Sequence, residues 1–164
     1  MDFRPIVLVT GILLAALALI MCIPAVVDFI AGDSNWQVFT LSAALTLFVG
    51  VGMAITSRTR GIKLSIRQAF IMTTTSWISL AVFSALPFQF SSAELSFSDA
   101  LFEAMSGLTT TGSTVITNLS TQSPGILIWR ALLQWLGGIG IIVMAISILP
   151  MLKVGGMQLF RIES

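Results

Sequence analysis

The chain has 164 residues, 56% of them hydrophobic and only 9% charged, with a mean hydropathy of +1.01. A soluble domain carries charge on roughly a quarter of its residues, and disorder needs low hydrophobicity with high net charge, so both are excluded. With no His and a single Cys, Cys22, there is no internal disulfide and no His/Cys metal site, and a net charge of +1 gives no sign of nucleic acid.

A membrane-spanning helix needs roughly 20 apolar residues. The first charge-free stretch, Ile6 to Val27, is long enough. Its apolar core exceeds the roughly 7–15 residues of a signal peptide, and Pro24 interrupts any cleavage site, so it reads as a retained span. Ser34 to Ser57 is the second span. Gln68 to Ala93 is the third, with Pro87 near its end.

The next segment, SFSDALFEAMSG, predicts a short amphipathic helix. Ser96 or Ser98 caps its start, Asp99 sits in its first turn, and Leu101, Phe102 and Met105 share a face. Gly107 is a plausible stop. Such a helix is too short to span, but it can dip into the bilayer and end halfway. Between Met105 and Gly125, 13 of 21 residues are Gly, Ser or Thr, so this stretch cannot face lipid. Within it, TTTGSTV (109–115) suits extended backbone, and Gly112 allows a turn of carbonyls that other residues resist. Carbonyls beside the negative end of a helix form a cation site without a charged side chain, the device of a potassium filter. The other reading of these residues is a Ser/Thr-rich outer loop that never enters the membrane. The fourth span runs from Ala131 to Leu152.

With four spans, seven of the eight basic residues fall on one face: Arg4, Arg58, Arg60, Lys63, Arg67, Lys153 and Arg161. Only Arg130 falls on the other. The positive-inside rule makes the basic face cytoplasmic, with both termini inside. Asp28, Asp33, Glu94, Asp99 and Glu103 then lie outside, giving that face a sum of −4. This reads either as acids that merely avoid the cytoplasmic side or, because they cluster beside the polar insertion, as a vestibule that draws cations in. Arg130 either pairs with Glu103 or Glu94 and supports the loop, or anchors span four at the interface beside Trp129. Trp36 and Trp129 read as an outer aromatic belt, and Trp77 and Trp135 as deeper packing. Gly137, Gly138 and Gly140 read as close helix packing in preference to a hinge. No enzyme reading survives: a Ser–His site has no His, both lysines lie outside the spans, and no acid falls within them.

The run FEAMSGLTTTGSTV, followed by RALLQWLGGIGIIVMAISILPMLKVGGMQLFR, resembles the first pore repeat of the Trk/Ktr/HKT potassium transporters, in the bacterial TrkH-type branch. The resemblance covers essentially the whole chain. It implies an all-α membrane protein with four transmembrane helices, a re-entrant pore helix and a filter loop, in which residues 1–67 hold two leading helices and a basic loop. Residues 68–152 would be the first helix–pore loop–helix repeat, with Ser98 to Ser106 as pore helix. Residues 153–164 would be a cytoplasmic tail or the start of a linker. The resemblance places the potassium filter at Thr110, Thr111, Gly112 and Ser113, with Asp99, Glu103 and Arg130 in support. Glycine at 112 implies potassium, because relatives with serine there favour sodium.

The family builds its pore from four repeats, and one is present, so either several copies assemble or, the favoured expectation, the chain is a fragment of a longer protein. The implied function is potassium uptake across the bacterial inner membrane. Potassium would be substrate, no cofactor would be needed, and complete subunits would form a homodimer with a cytoplasmic nucleotide-binding regulatory subunit. A non-conducting fragment and a sodium-permeable or sodium-coupled relative are the alternatives.

Overall fold

The computed structural model describes residues 3–57 and 65–148. Five helices follow in chain order: α1 (Arg4–Ala31), α2 (Asn35–Thr56), α3 (Ile66–Phe90), the short α4 (Phe97–Leu108) and α5 (Pro124–Ile148). All but α4 are long and apolar enough to cross a membrane. No β-paired strand occurs among the described residues, where the only non-helical runs are loops and unpaired chain. The protein is thus an all-α, multi-pass membrane protein. Arg58, Arg60, Lys63, Lys153, Arg161 and the tail 153–164 lie outside the described residues.

Helix ends follow local chemistry. Gly32 (φ +74°) takes the left-handed conformation after α1 and donates its N–H back to Phe29 O (3.3 Å), which turns the chain sharply into α2. Ser65 opens α3 in a reciprocal capping box with Gln68. Ser96 opens α4, its hydroxyl accepting from Asp99 N (3.2 Å).

α1 and α2 form the closest pair. A Cβ on Gly11 would lie 2.6 Å from Gly50 O, and one on Gly50 would lie 2.7 Å from Ala15 N. The two backbones are therefore in contact, as small residues allow in lipid. α3 joins α1 through Thr10 and Ser76, whose hydroxyls are 3.2 Å apart in a buried position. Asn35 at the start of α2 ties down the loop after α3, donating to Ser92 Oγ (2.8 Å) and accepting from Ser92 N (3.0 Å).

Three expectations need correction. The fourth span starts at Pro124, not Ala131: a charge-free window stops at Arg130, but that charge is paired, so the helix continues through it. Trp129 belongs to no interfacial belt. It is 0% exposed, sits edge-on to Phe39 (6.2 Å between centroids) and donates Nε1–H to Ser84 O (3.1 Å). Trp135, expected in the packing, is 64% exposed.

Candidate functional site

α4 packs on both α3 and α5. Ala100 and Ala104 line its buried side. A Cβ on Gly107 would lie 2.9 Å from Leu133 Cβ, and one on Gly137 would overlap the Leu108 carbonyl. Gly137 is therefore a packing glycine, as expected. It lies 13 residues beyond Pro124, about 20 Å along the axis at ~1.5 Å per residue. α5 has 25 residues, about 38 Å by the same rise. The C-terminal end of α4 thus stops near the middle of a spanning helix, and the short helix is re-entrant.

Past Leu108 the chain turns back. Thr110 N–H donates to Gly107 O (2.9 Å), while the N–H groups of Thr111 and Gly112 both reach Ser106 O (3.0 and 3.3 Å). No peptide bond here is cis. In a trans peptide the carbonyl points opposite to the N–H that follows it, so the carbonyls of Thr109, Thr110 and Thr111 turn away from the end of α4. Among the described residues no donor is bonded to the carbonyls of Thr110, Thr111 or Gly112. Residues 109–115 are exposed. Thr110 (φ +59°) and Gly112 (φ +77°) are both left-handed. Glycine accepts this freely, but a β-branched threonine does so only under strain. Strain held at one turn is a mark of a site whose surroundings over-determine its shape.

The returning segment is tied to α4 by side chains. Ser106 Oγ donates to Ser113 O (2.6 Å). One turn earlier, Glu103 Oε1 accepts from Thr114 Oγ1 (2.5 Å) and Val115 N (2.6 Å). Its other oxygen, Oε2, accepts from Arg130 Nε (2.9 Å). Glu103 is 2% exposed and the Arg130 side chain 13%. One carboxylate therefore joins α4, the returning strand and α5. Arg130 chooses Glu103, not Glu94 and not the interface.

α5 backs the loop along one face. Gln134 is one turn below Arg130, with Nε2 3.6 Å from where a Cβ on Gly112 would lie. Gly138, one turn further, faces the Thr110 methyl at 3.9 Å, again measured from an added Cβ. Positions 130, 134, 137 and 138 share a stripe at helical spacing.

The acids expected to form an outer field divide into two kinds. Asp28 is 0% exposed: it lies in the last turn of α1 and accepts from Gly125 N (2.6 Å) and Ser123 Oγ (3.1 Å) at the start of α5. Glu103 is paired. Asp99 sits at the α4 N-terminus, accepting from Ser96 Oγ (2.6 Å), so it supports the helix and not the loop directly. Glu94 remains exposed and Asp33 half-buried. The expectation that spans hold no charge fails at Asp28 and Arg130, which both lie within long helices. The links from Ser106 and Thr114 were not anticipated. Their only signal was a hydroxyl at the end of the short helix and another within the loop.

This loop presents oxygens and no other ligand. No group of three or more His, Cys, Asp or Glu side chains able to hold a metal occurs among the described residues. Free carbonyls at the negative end of a helix suit a monovalent cation that sheds water.

Residues 35–164 match the family model TrkH, described as "Cation transport protein". The chain is 42% identical over 162 residues to the Trk system potassium uptake protein TrkI of Halomonas elongata, covering 99% of this chain and 33% of that protein. It is 42% identical over 164 residues to the Trk system potassium uptake protein TrkH of Escherichia coli K12, covering 99% and 34%. The crystal structure of the potassium transporter TrkH from Vibrio parahaemolyticus superposes with a TM-score of 0.89 at 38% identity, covering 95% of this chain and 34% of that one. The chain thus spans about a third of the length of the relatives it matches.

Proposed function

Because the chain belongs to the TrkH family of cation transport proteins, we propose that it supplies one quarter of a potassium pore and serves potassium uptake. α4 is the pore helix. The carbonyls of Thr110, Thr111, Gly112 and Ser113 replace part of the hydration shell of a potassium ion entering from outside. The carbonyls of Thr110, Thr111 and Gly112, unpaired among the described residues, carry this reading, the first two turned away from the α4 end by the N–H bonds to Ser106. Ser113 O shares its lone pairs with Ser106 Oγ. Glu103 and Arg130 hold the strand in place, and Asp99 fixes the start of the pore helix.

In this reading the end bearing α4 faces outward, because Arg4 and Arg67 begin helices at the opposite end. Both termini are then cytoplasmic and the membrane is the bacterial inner membrane. A negative interior drives the ion, worth about 2.3 kcal/mol per 100 mV for one charge. The arrangement needs no cofactor and no covalent chemistry. Residues 1–67 act as two leading helices, 68–152 as a pore repeat, and 153–164 as tail or linker. Three further repeats complete the ring in the full subunit, two subunits pair, and a nucleotide-binding cytoplasmic subunit regulates them. The complete gene product, expressed in bacteria stripped of their own potassium uptake systems, restores growth and rubidium uptake at low potassium. A complete gene product that reaches the membrane and restores neither overturns the reading.

A further inference from the structure

We propose that Asp28, in the leading helix α1, is a positioning residue for the ion filter, acting by fixing the outer end of α5. This rests on the filter reading above and adds a residue far from the loop in sequence. Asp28 is wholly buried, and its partners are the Gly125 N–H (2.6 Å) and the Ser123 hydroxyl (3.1 Å). Gly125 lies in the first turn of α5 and Ser123 immediately precedes that helix, where free N–H groups need an acceptor and the helix dipole favours a carboxylate. Ser123 Oγ in turn accepts from Ile126 N (3.3 Å), so Asp28 also orients that hydroxyl. The fit is close: a Cβ added at Gly125 would overlap the Asp28 carboxylate. Glycine is required there by space, since the seat is filled by a side chain from another helix.

The consequence reaches the filter along α5. Arg130 lies five residues beyond Gly125 and holds Glu103, which holds Thr114 and Val115. Gln134 follows one turn later against Gly112. A shift or tilt of the first turn of α5 moves Arg130 and Gln134 together, and these set the position of the strand that carries the carbonyls. Through Asp28 the outer end of the leading helix α1 is thus part of the filter's support and not an appendage to it.

The test is the ratio of potassium to sodium uptake, which does not depend on how much protein reaches the membrane. Asp28→Asn, Gly125→Ala and Gly112→Ser are measured in the complete gene product in uptake-deficient cells, with the membrane amount of each quantified. Asp28→Asn keeps the shape but removes the charge at the α5 N-terminus and forces the Ser123 hydroxyl to change from donor to acceptor, and Gly125→Ala displaces the carboxylate from the other side. Both are expected to lower the ratio about threefold or more, as loss of a buried hydrogen-bond partner implies, with protein present in the membrane. If Gly112→Ser changes the ratio while Asp28→Asn and Gly125→Ala keep the parent value, the proposal is overturned and the filter reading stands. If both junction variants fail to reach the membrane, Ser123→Ala decides: an unchanged ratio, or absence of that variant too, reduces Asp28 to a folding role and overturns the proposal. If Gly112→Ser itself changes nothing, the filter reading falls, and this proposal falls with it.

Discussion

The α1–α2 pair and the α4–loop–α5 unit are held together by different physics. Between α1 and α2, Gly11 and Gly50 bring two backbones into contact, and no hydrogen bond is needed because each helix satisfies its own backbone. In the α4 unit the chain leaves helical structure near mid-span, where lipid cannot satisfy its peptides. Side chains must then do so: Ser106 for the Ser113 carbonyl, Glu103 for the Val115 N–H. A regular helix can be packed by shape, whereas an irregular segment at that depth requires buried polar and charged groups. The charged pair is thus a consequence of the loop, and the loop is what leaves carbonyls free for an ion.

This contrast can be broken by substitution. The largest effect is expected for Glu103→Ala, which strips the strand of its acceptor and leaves Arg130 without its partner. Breaking a buried pair costs about 3–5 kcal/mol. The expected result is a large fall in melting temperature of the purified protein and loss of uptake. A variant melting as the parent does would show that the pair is dispensable.

Next is Gly50→Ala, whose methyl would meet Ala15 N at 2.7 Å and Gly11 O at 2.8 Å. Overpacking of this kind costs about 1–3 kcal/mol. Here stability should fall while the potassium to sodium ratio of the surviving protein holds, in contrast to changes in the loop.

Thr110→Gly sharpens the difference from the other direction. It relieves a left-handed threonine, a gain of about 1 kcal/mol, and should raise or preserve thermal stability while it weakens ion discrimination. The smallest effect is expected for Asp99→Asn, about 0.5 kcal/mol from the α4 N-terminus, detectable as a small melting shift with uptake near normal.

Much of this was legible in the sequence, for physical reasons. Long apolar runs report spans because lipid tolerates little else, and SFSDALFEAMSG reports its own cap and amphipathic face. The family resemblance places the short helix over 98–106 and it occupies Phe97–Leu108, running past the expected stop at Gly107, which packs inside the helix against Leu133. The residues of the loop were legible through their Gly, Ser and Thr content. What escaped were effects of tertiary partners. Arg130 ended the predicted span because a charge-free window stops at any charge, and only the fold decides between Glu103, Glu94 and the interface by bringing Glu103 to it across 27 residues. Trp129 looked interfacial because Ser84 O, 45 residues away, was invisible. Asp28 looked like a surface acid, and its partners are 95 and 97 residues distant. Local chemistry sets helix ends and faces, but whether a charge is solvated or buried depends on contacts that no local window contains.

The central claim, that the 110–113 carbonyls hold potassium, is tested most directly at Gly112. Its φ of +77° disfavours any side chain, although an added Cβ would meet Gln134 Nε2 only at an ordinary 3.6 Å. Gly112→Ser should therefore leave the bundle intact, at a strain of about 1–2 kcal/mol, while turning the neighbouring carbonyls. Uptake of potassium and sodium by the complete gene product, measured side by side for parent and variant, should show a clear drop in the potassium to sodium ratio with membrane amount retained. An unchanged ratio would contradict the assignment of the filter.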